Sequence, residues 1–253
     1  MRRHLIAGAL LTCLVLSAAG SNSAFADWVY DANSEFKAFE LANNGSNIAP
    51  SFSNFTTGYG QNLGDFTAFA ATQHNDSLLG DASLQGWNFA HFYSVPAIAV
   101  NTSNSPISSI PGIGPIDPSQ IYMHPGGISV DGGTPPINNA VLRFTTTNAG
   151  IYSVTGDWES LDKGSTINYI LHNGVTLFSS SNDNSIFNLS GISLANGDTI
   201  DFVVNSNGDP FYDSTGLRAT IVGVPEPTTM ALFGLGGIGL AGIAKRRRTR
   251  KVA

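Results

Sequence analysis

The sequence predicts an all-β fold, an antiparallel β-sandwich of jelly-roll type. From Ala140 onward apolar and polar residues alternate with a period of two, and turn residues separate the short alternating runs. Seven such runs fit into about 80 residues with no convincing long helix between them, which is the spacing of a sandwich. The expected strands are 140–147, 151–158, 166–172, 174–180, 185–190, 199–205 and 216–222. In Ile167-Asn168-Tyr169-Ile170-Leu171 and Ile200-Asp201-Phe202-Val203-Val204 one face is apolar throughout and the other mixed, as in strands that cover a core. His172-Asn173-Gly174 signals a two-residue hairpin, because a type I′ turn needs positive φ at both central positions. Asn148-Ala149-Gly150, Asn196-Gly197-Asp198 and Asn207-Gly208-Asp209 mark further turns.

The chain opens with Met1-Arg2-Arg3, an apolar run from Leu5 to Leu16, and small residues ending in Ala24-Phe25-Ala26. A basic start, a short apolar stretch and an A-x-A step make residues 1–26 a secretory signal peptide, to be cut by signal peptidase before Asp27. Residues 27–223 are the expected exported domain. Its first half is less regular, with scattered aromatics and one short helix around Ser34–Leu41. Asn101–Pro136, rich in Pro, Gly, Ser and Ile, reads as a long surface loop broken by a strand near Ile121.

Residues 224–253 have three parts: Val224-Pro225-Glu226-Pro227, an apolar run 230–244, and a basic tail 245–251. The prolines keep the first part extended and accessible. Fifteen residues of helix reach only about 22 Å, against a hydrocarbon core of about 30 Å, so the anchor is short. The six Lys and Arg that follow stop transfer and stay on the cytoplasmic side. The three-part order resembles the PEP-CTERM sorting signal, with Pro225, Glu226 and Pro227 as its recognition element. That resemblance implies export through the inner membrane of a Gram-negative bacterium, a transient transmembrane helix, and removal of the tail by an exosortase-type protease. It also implies association with exopolysaccharide and biofilm. A second resemblance rests on Tyr30-Asp31-Ala32, His124-Pro125-Gly126, Val141-Leu142-Arg143-Phe144, Ala149-Gly150-Ile151-Tyr152 and Phe211-Tyr212-Asp213-Ser214-Thr215-Gly216-Leu217. These are similar to a jelly-roll domain common among PEP-CTERM proteins and to carbohydrate-binding modules.

Charge is unevenly placed. Residues 27–223 hold four basic and seventeen acidic side chains, a formal charge of −13, although the whole chain carries −6. Such a surface repels nucleic acid and anionic membranes, and suits neutral partners or calcium. The one cysteine, Cys13, lies in the signal peptide, so the exported part has neither disulfide nor thiolate chemistry.

Catalytic signatures are lacking: there is no G-x-S-x-G, H-E-x-x-H, P-loop or dinucleotide fingerprint. An Asp–Glu pair such as Asp157 and Glu159 shares a strand face, as the two facing carboxylates of a glycosidase would require. Asn205, Asn207, Asp209 and Asp213 place four oxygen-bearing side chains within nine residues, a candidate calcium loop, although Asn-Gly-Asp is ordinary turn chemistry and the plain turn is the favoured reading. Trp87, Tyr93, Tyr122 and Trp158 are candidates for a sugar-stacking platform, since their rings offer flat apolar faces. His124 stands alone in its loop motif, with no second histidine at zinc-ligand spacing. The expectation is a non-catalytic surface or matrix protein that binds exopolysaccharide or another envelope glycan. The alternatives are an adhesive protein assembled through protein contacts, with or without calcium, and a carbohydrate-active enzyme.

Overall fold

The computed structural model describes residues 27–43, 48–89, 95–127, 137–181, 184–209 and 211–225. In chain order the first half forms β1 (Trp28–Asp31), α1 (Ala32–Ala42), β2 (Ser51–Phe52), β3 (Phe55–Gly60), β4 (Thr67–Ala68), β5 (His74–Asn75), β6 (Leu84–Asn88), β7 (Ala97–Asn101), β8 (Ile121–His124) and β9 (Gly126–Gly127). The second half forms β10 (Ile137–Thr145), β11 (Gly150–Ser160), β12 (Ile167–His172), β13 (Val175–Ser180), β14 (Ser185–Leu194), β15 (Thr199–Asn205) and β16 (Thr215–Pro225). Each of the seven strands expected from Ala140 onward overlaps its predicted span. Asn173 and Gly174 take φ of 49° and 81°, so β12 and β13 are joined by the type I′ turn that the sequence signals. The predicted short helix is α1, whose amino end is capped by the Asp31 carboxylate accepting from the Ser34 amide at 2.7 Å.

The pairings build two antiparallel sheets. One runs β14-β11-β16-β8-β7-β6-β5, with β1 beside β16; the other runs β13-β12-β15-β10-β3-β2, with β4 on β3 and β9 on β10. In the first sheet β11 lies along the whole of β16, while β8 and β1 share the other side of β16, one at each end. The quartets β8-β16-β11-β14 and β10-β15-β12-β13 interleave chain order as two Greek keys do, and the fold is a jelly roll.

The core lies between the sheets because every second side chain of each strand points there. Tyr152, Val154 and Trp158 of β11 and Leu217, Ala219 and Ile221 of β16 meet Leu142 and Phe144 of β10 and Ile200, Phe202 and Val204 of β15. Trp158 meets Phe202 edge-on, with ring centroids 6.4 Å apart. At the far edge α1 seals the sandwich: Phe36 stacks on Phe52 at 4.6 Å and on Trp87 at 5.5 Å. Outside the second sheet Arg143 forks onto Asp201 at 2.6 and 2.7 Å and lies over the Phe66 ring at 4.1 Å, which keeps the buried carboxylate paired.

The last strand carries on into the sorting segment. Val224 pairs with Ile151 and Pro225 with Gly150, so the sheet holds the chain up to the first proline of the Pro-Glu-Pro element. Glu226, Pro227, the apolar run 230–244 and the basic tail lie outside the described residues, as does the signal peptide. Among the described residues no helix is long and apolar enough to cross a membrane.

Candidate functional site

The expected stacking platform is corrected by burial. Trp87, Trp158 and Tyr122 are at most 2 % exposed. Trp87 packs on α1 and Trp158 between the sheets, so neither ring offers a face to a ligand. Tyr93 lies outside the described residues.

The candidate calcium loop spends its oxygens on its own turn. Asn205 Oδ1 accepts from the Asn207 amide at 2.9 Å, and Asp209 Oδ1 accepts from the Phe211 amide at 3.1 Å. Asn207 and Gly208 have φ of 49° and 101°, the left-handed pair of a tight reversal. Asp213 points into the protein and is buried. Among the described residues no group of three or more His, Cys, Asp or Glu side chains is placed to hold a metal ion. Asp157 and Glu159 do share a face, but both are tied to Arg218, at 2.7 and 3.0 Å, and Asp117 joins them at 3.1 Å.

A cleft of about 410 Å³ opens at one end of the sandwich. There β6 ends at Asn88, β7 begins at Ala97, β8 ends at His124 and β16 begins just after Ser214. Its size is that of a small-ligand site. Leu78, Leu79, Ile110 and Ile113 form aliphatic walls. The floor holds Asn88 and His124, both more than nine-tenths buried. Asn88 Oδ1 and His124 Nδ1 have no hydrogen-bond partner among the described residues. The sequence places His124 in a loop; in the structure it is the last residue of a strand, lying parallel to the Tyr122 ring at 6.4 Å. Burial pushes its pKa down, and the Asp162 carboxylate offsets part of that shift, so the imidazole is neutral at pH 7. The Tyr122 hydroxyl lies 3.3 Å from Ser214 Oγ, and burial drives its pKa far up, keeping it protonated.

Two exposed rings stand at the rim, Phe211 at 60 % and Tyr212 at 65 %. The loop after β11 fixes them. Leu161 and Gly164 donate backbone amides to Ser214 and Tyr212, at 2.9 and 2.6 Å. Asp162 accepts from the Ser214 amide at 2.9 Å and from the Gly164 amide at 3.3 Å. A side chain at position 164 would collide with the Tyr212 backbone. Tyr212 is thereby held at φ 64°, a conformation costly for an aromatic residue and found where a site needs it. Asn88, Asp162, Phe211 and Tyr212 were not among the expected site residues. The signal for the rim was present in Asn-Gly-Asp-Pro-Phe-Tyr, where two aromatics follow a turn with no alternation to bury them.

Comparison with known proteins bears mainly on the carboxyl end. Residues 223–248 match the family described as the PEP-CTERM protein-sorting motif. No curated protein matches the chain. Similar solved structures include CBM51 from Clostridium perfringens GH95 in complex with methyl-galactose, 14 % identical over 41 % of this chain and 68 % of that one, with a TM-score of 0.28. The CBM36-1 domain of a multidomain xylanase from the hindgut metagenome of Trinervitermes trinervoides is 11 % identical over 52 % of this chain and 99 % of its own, TM-score 0.28. Pika GITRL is 22 % identical over 34 % and 79 %, TM-score 0.25. The chain therefore joins a jelly-roll β-sandwich to a PEP-CTERM protein-sorting motif, the mark of an exported protein held for a time at a membrane.

Proposed function

We propose that this is a non-catalytic surface or extracellular-matrix protein of a Gram-negative bacterium that binds an envelope glycan or exopolysaccharide in the cleft. The reading places it as a substrate first of signal peptidase and then of an exosortase-type protease. The observation that carries the glycan reading is the pairing of two exposed rings, Phe211 and Tyr212, with two buried unpartnered polar atoms beneath them. A sugar ring offers the complement: an apolar face to lie on an aromatic ring, and hydroxyls at its edge to hydrogen-bond the floor. The test is a glycan array and polysaccharide pull-down with the full chain in detergent. Replacing Phe211 and Tyr212 together by Ala should weaken binding by about tenfold or more, since each ring contributes on the order of 1 kcal/mol. Capture that is indifferent to the double change would sink the cleft as the binding site.

A second reading, assembly through protein contacts, has one observation in its favour. β13 and β14, the last strands of their sheets, contain no charged residue in a domain of charge −13. Sedimentation of the full chain across a concentration series, with Ile186→Lys on the exposed edge as the control, separates the two readings.

A further inference from the structure

We propose that the cleft selects a neutral N-acetylated amino sugar and rejects uronic acids and other anionic glycans. The inference rests on the reading that the cleft binds a glycan, and follows from what its surfaces can accept.

No cationic side chain lines the cleft among the described residues. Asn88 Oδ1 lacks a partner among the described residues and can only accept, while the backbone of Val95 and Pro125 already hydrogen-bonds the His124 ring. Among the described residues Asp162 is the only charged side chain lining the cleft, and its carboxylate already faces His124 and Tyr122. None of the domain's four basic residues lines it: Arg143 is committed to Asp201, Arg218 to three carboxylates, and Lys37 to Ser103 and Asn104. Lys163, the fourth, is not among the lining residues. A ligand carboxylate, sulfate or phosphate would meet the like charge of Asp162 with no lining Lys or Arg to pair it, so it is rejected. A ligand that donates is required.

The walls narrow the choice. Leu78, Leu79, Ile110 and Ile113 would strip water from a hydroxyl without replacing its hydrogen bonds. A methyl group loses nothing there. An acetamido group meets both demands at once, since its N–H can donate to the floor and its methyl can pack on the wall. The rim rings then carry the pyranose face.

The test uses the full chain in detergent and three oligosaccharide probes of equal length: the trimer of N-acetylglucosamine, its de-N-acetylated form, and trigalacturonate. The N-acetylated trimer should bind at least about tenfold more tightly than either of the others. Tyr212→Ala, Asn88→Leu and Ile113→Ser should each weaken it, the last being a half-exposed wall position whose change leaves the fold intact. Equal or tighter binding of trigalacturonate or of the free amine, lost with Tyr212→Ala, overturns the inference while the glycan reading stands. So does Tyr212-dependent binding of other glycans when none of these three binds. Binding of the trimer that ignores Tyr212→Ala, or no glycan binding of any kind, overturns both.

Discussion

At the residue scale the informative side chain is His124. Buried among Tyr122 and the cleft floor, it resists protonation, so its pKa in the folded protein lies below the ordinary value. In the unfolded chain that value is about 6.5. Between the two, the unfolded state takes up a proton that the native state refuses, and stability falls as pH drops through that window. Above about 6.5 the contribution is fully present. Two other groups act elsewhere on the scale. Asp81 is held low by bonds from Ser83 and Ser109, and its contribution is lost only at more acid pH. Glu35, raised by burial, works in the opposite sense near its own range. The melting temperature should therefore decline from pH 7 to pH 5, and His124→Gln should flatten that decline; an identical slope in the variant would place the titration elsewhere. The sequence singles out His124 by its His-Pro-Gly setting and expects a strand near Ile121, but does not carry that strand as far as His124. All four residues of β8 are buried, so the alternation that reveals a half-exposed strand is missing.

The same principle explains which elements were legible. β10 to β16 alternate, or end in turns of recognisable chemistry, and each was predicted. β7 is buried at all five positions and β6 at four, while β2, β4 and β5 have two residues each, too few for a period to show. Alternation could also have settled one side chain: Trp158 shares the even phase of β11 with Tyr152 and Val154, which puts it on the core face. The β12–β13 hairpin is the element most open to test. Its loop is stitched to the neighbouring turn, where Asn173 Oδ1 accepts from the Thr199 amide and Asn173 Nδ2 donates to Asp198, both at 2.9 Å. Gly174→Val puts a β-branched residue at φ 81°, which should cost about 1–3 kcal/mol and lower the melting temperature of the full chain by several degrees. An unchanged melt would mean that the turn relaxes to another type.

At the scale of the whole molecule, the carboxyl-terminal sorting motif was the most legible part, because it is read as linear order and composition and needs no fold. Intact-mass measurement on protein from the native host should find a species lacking residues 1–26 and everything beyond about Pro227. Recovery outside the inner membrane of a chain that keeps Lys245–Lys251 would contradict this. The cleft was illegible for the converse reason: its residues come from seven separated stretches that only the jelly-roll crossings bring together. One strand links the two stories. β16 starts beside Ser214 at the cleft and ends at Pro225, and its eleven residues at ~3.3 Å each span roughly 33 Å. Trp28, near the start of the described residues, pairs with Gly223 near the far end of that strand. The first and last described residues thus meet at one end of β16, with the cleft at its other end. If the cleft binds a glycan as proposed, removal of the tail at the opposite end should leave its affinity unchanged, and binding by the full chain and by a chain ending at Pro225 checks this.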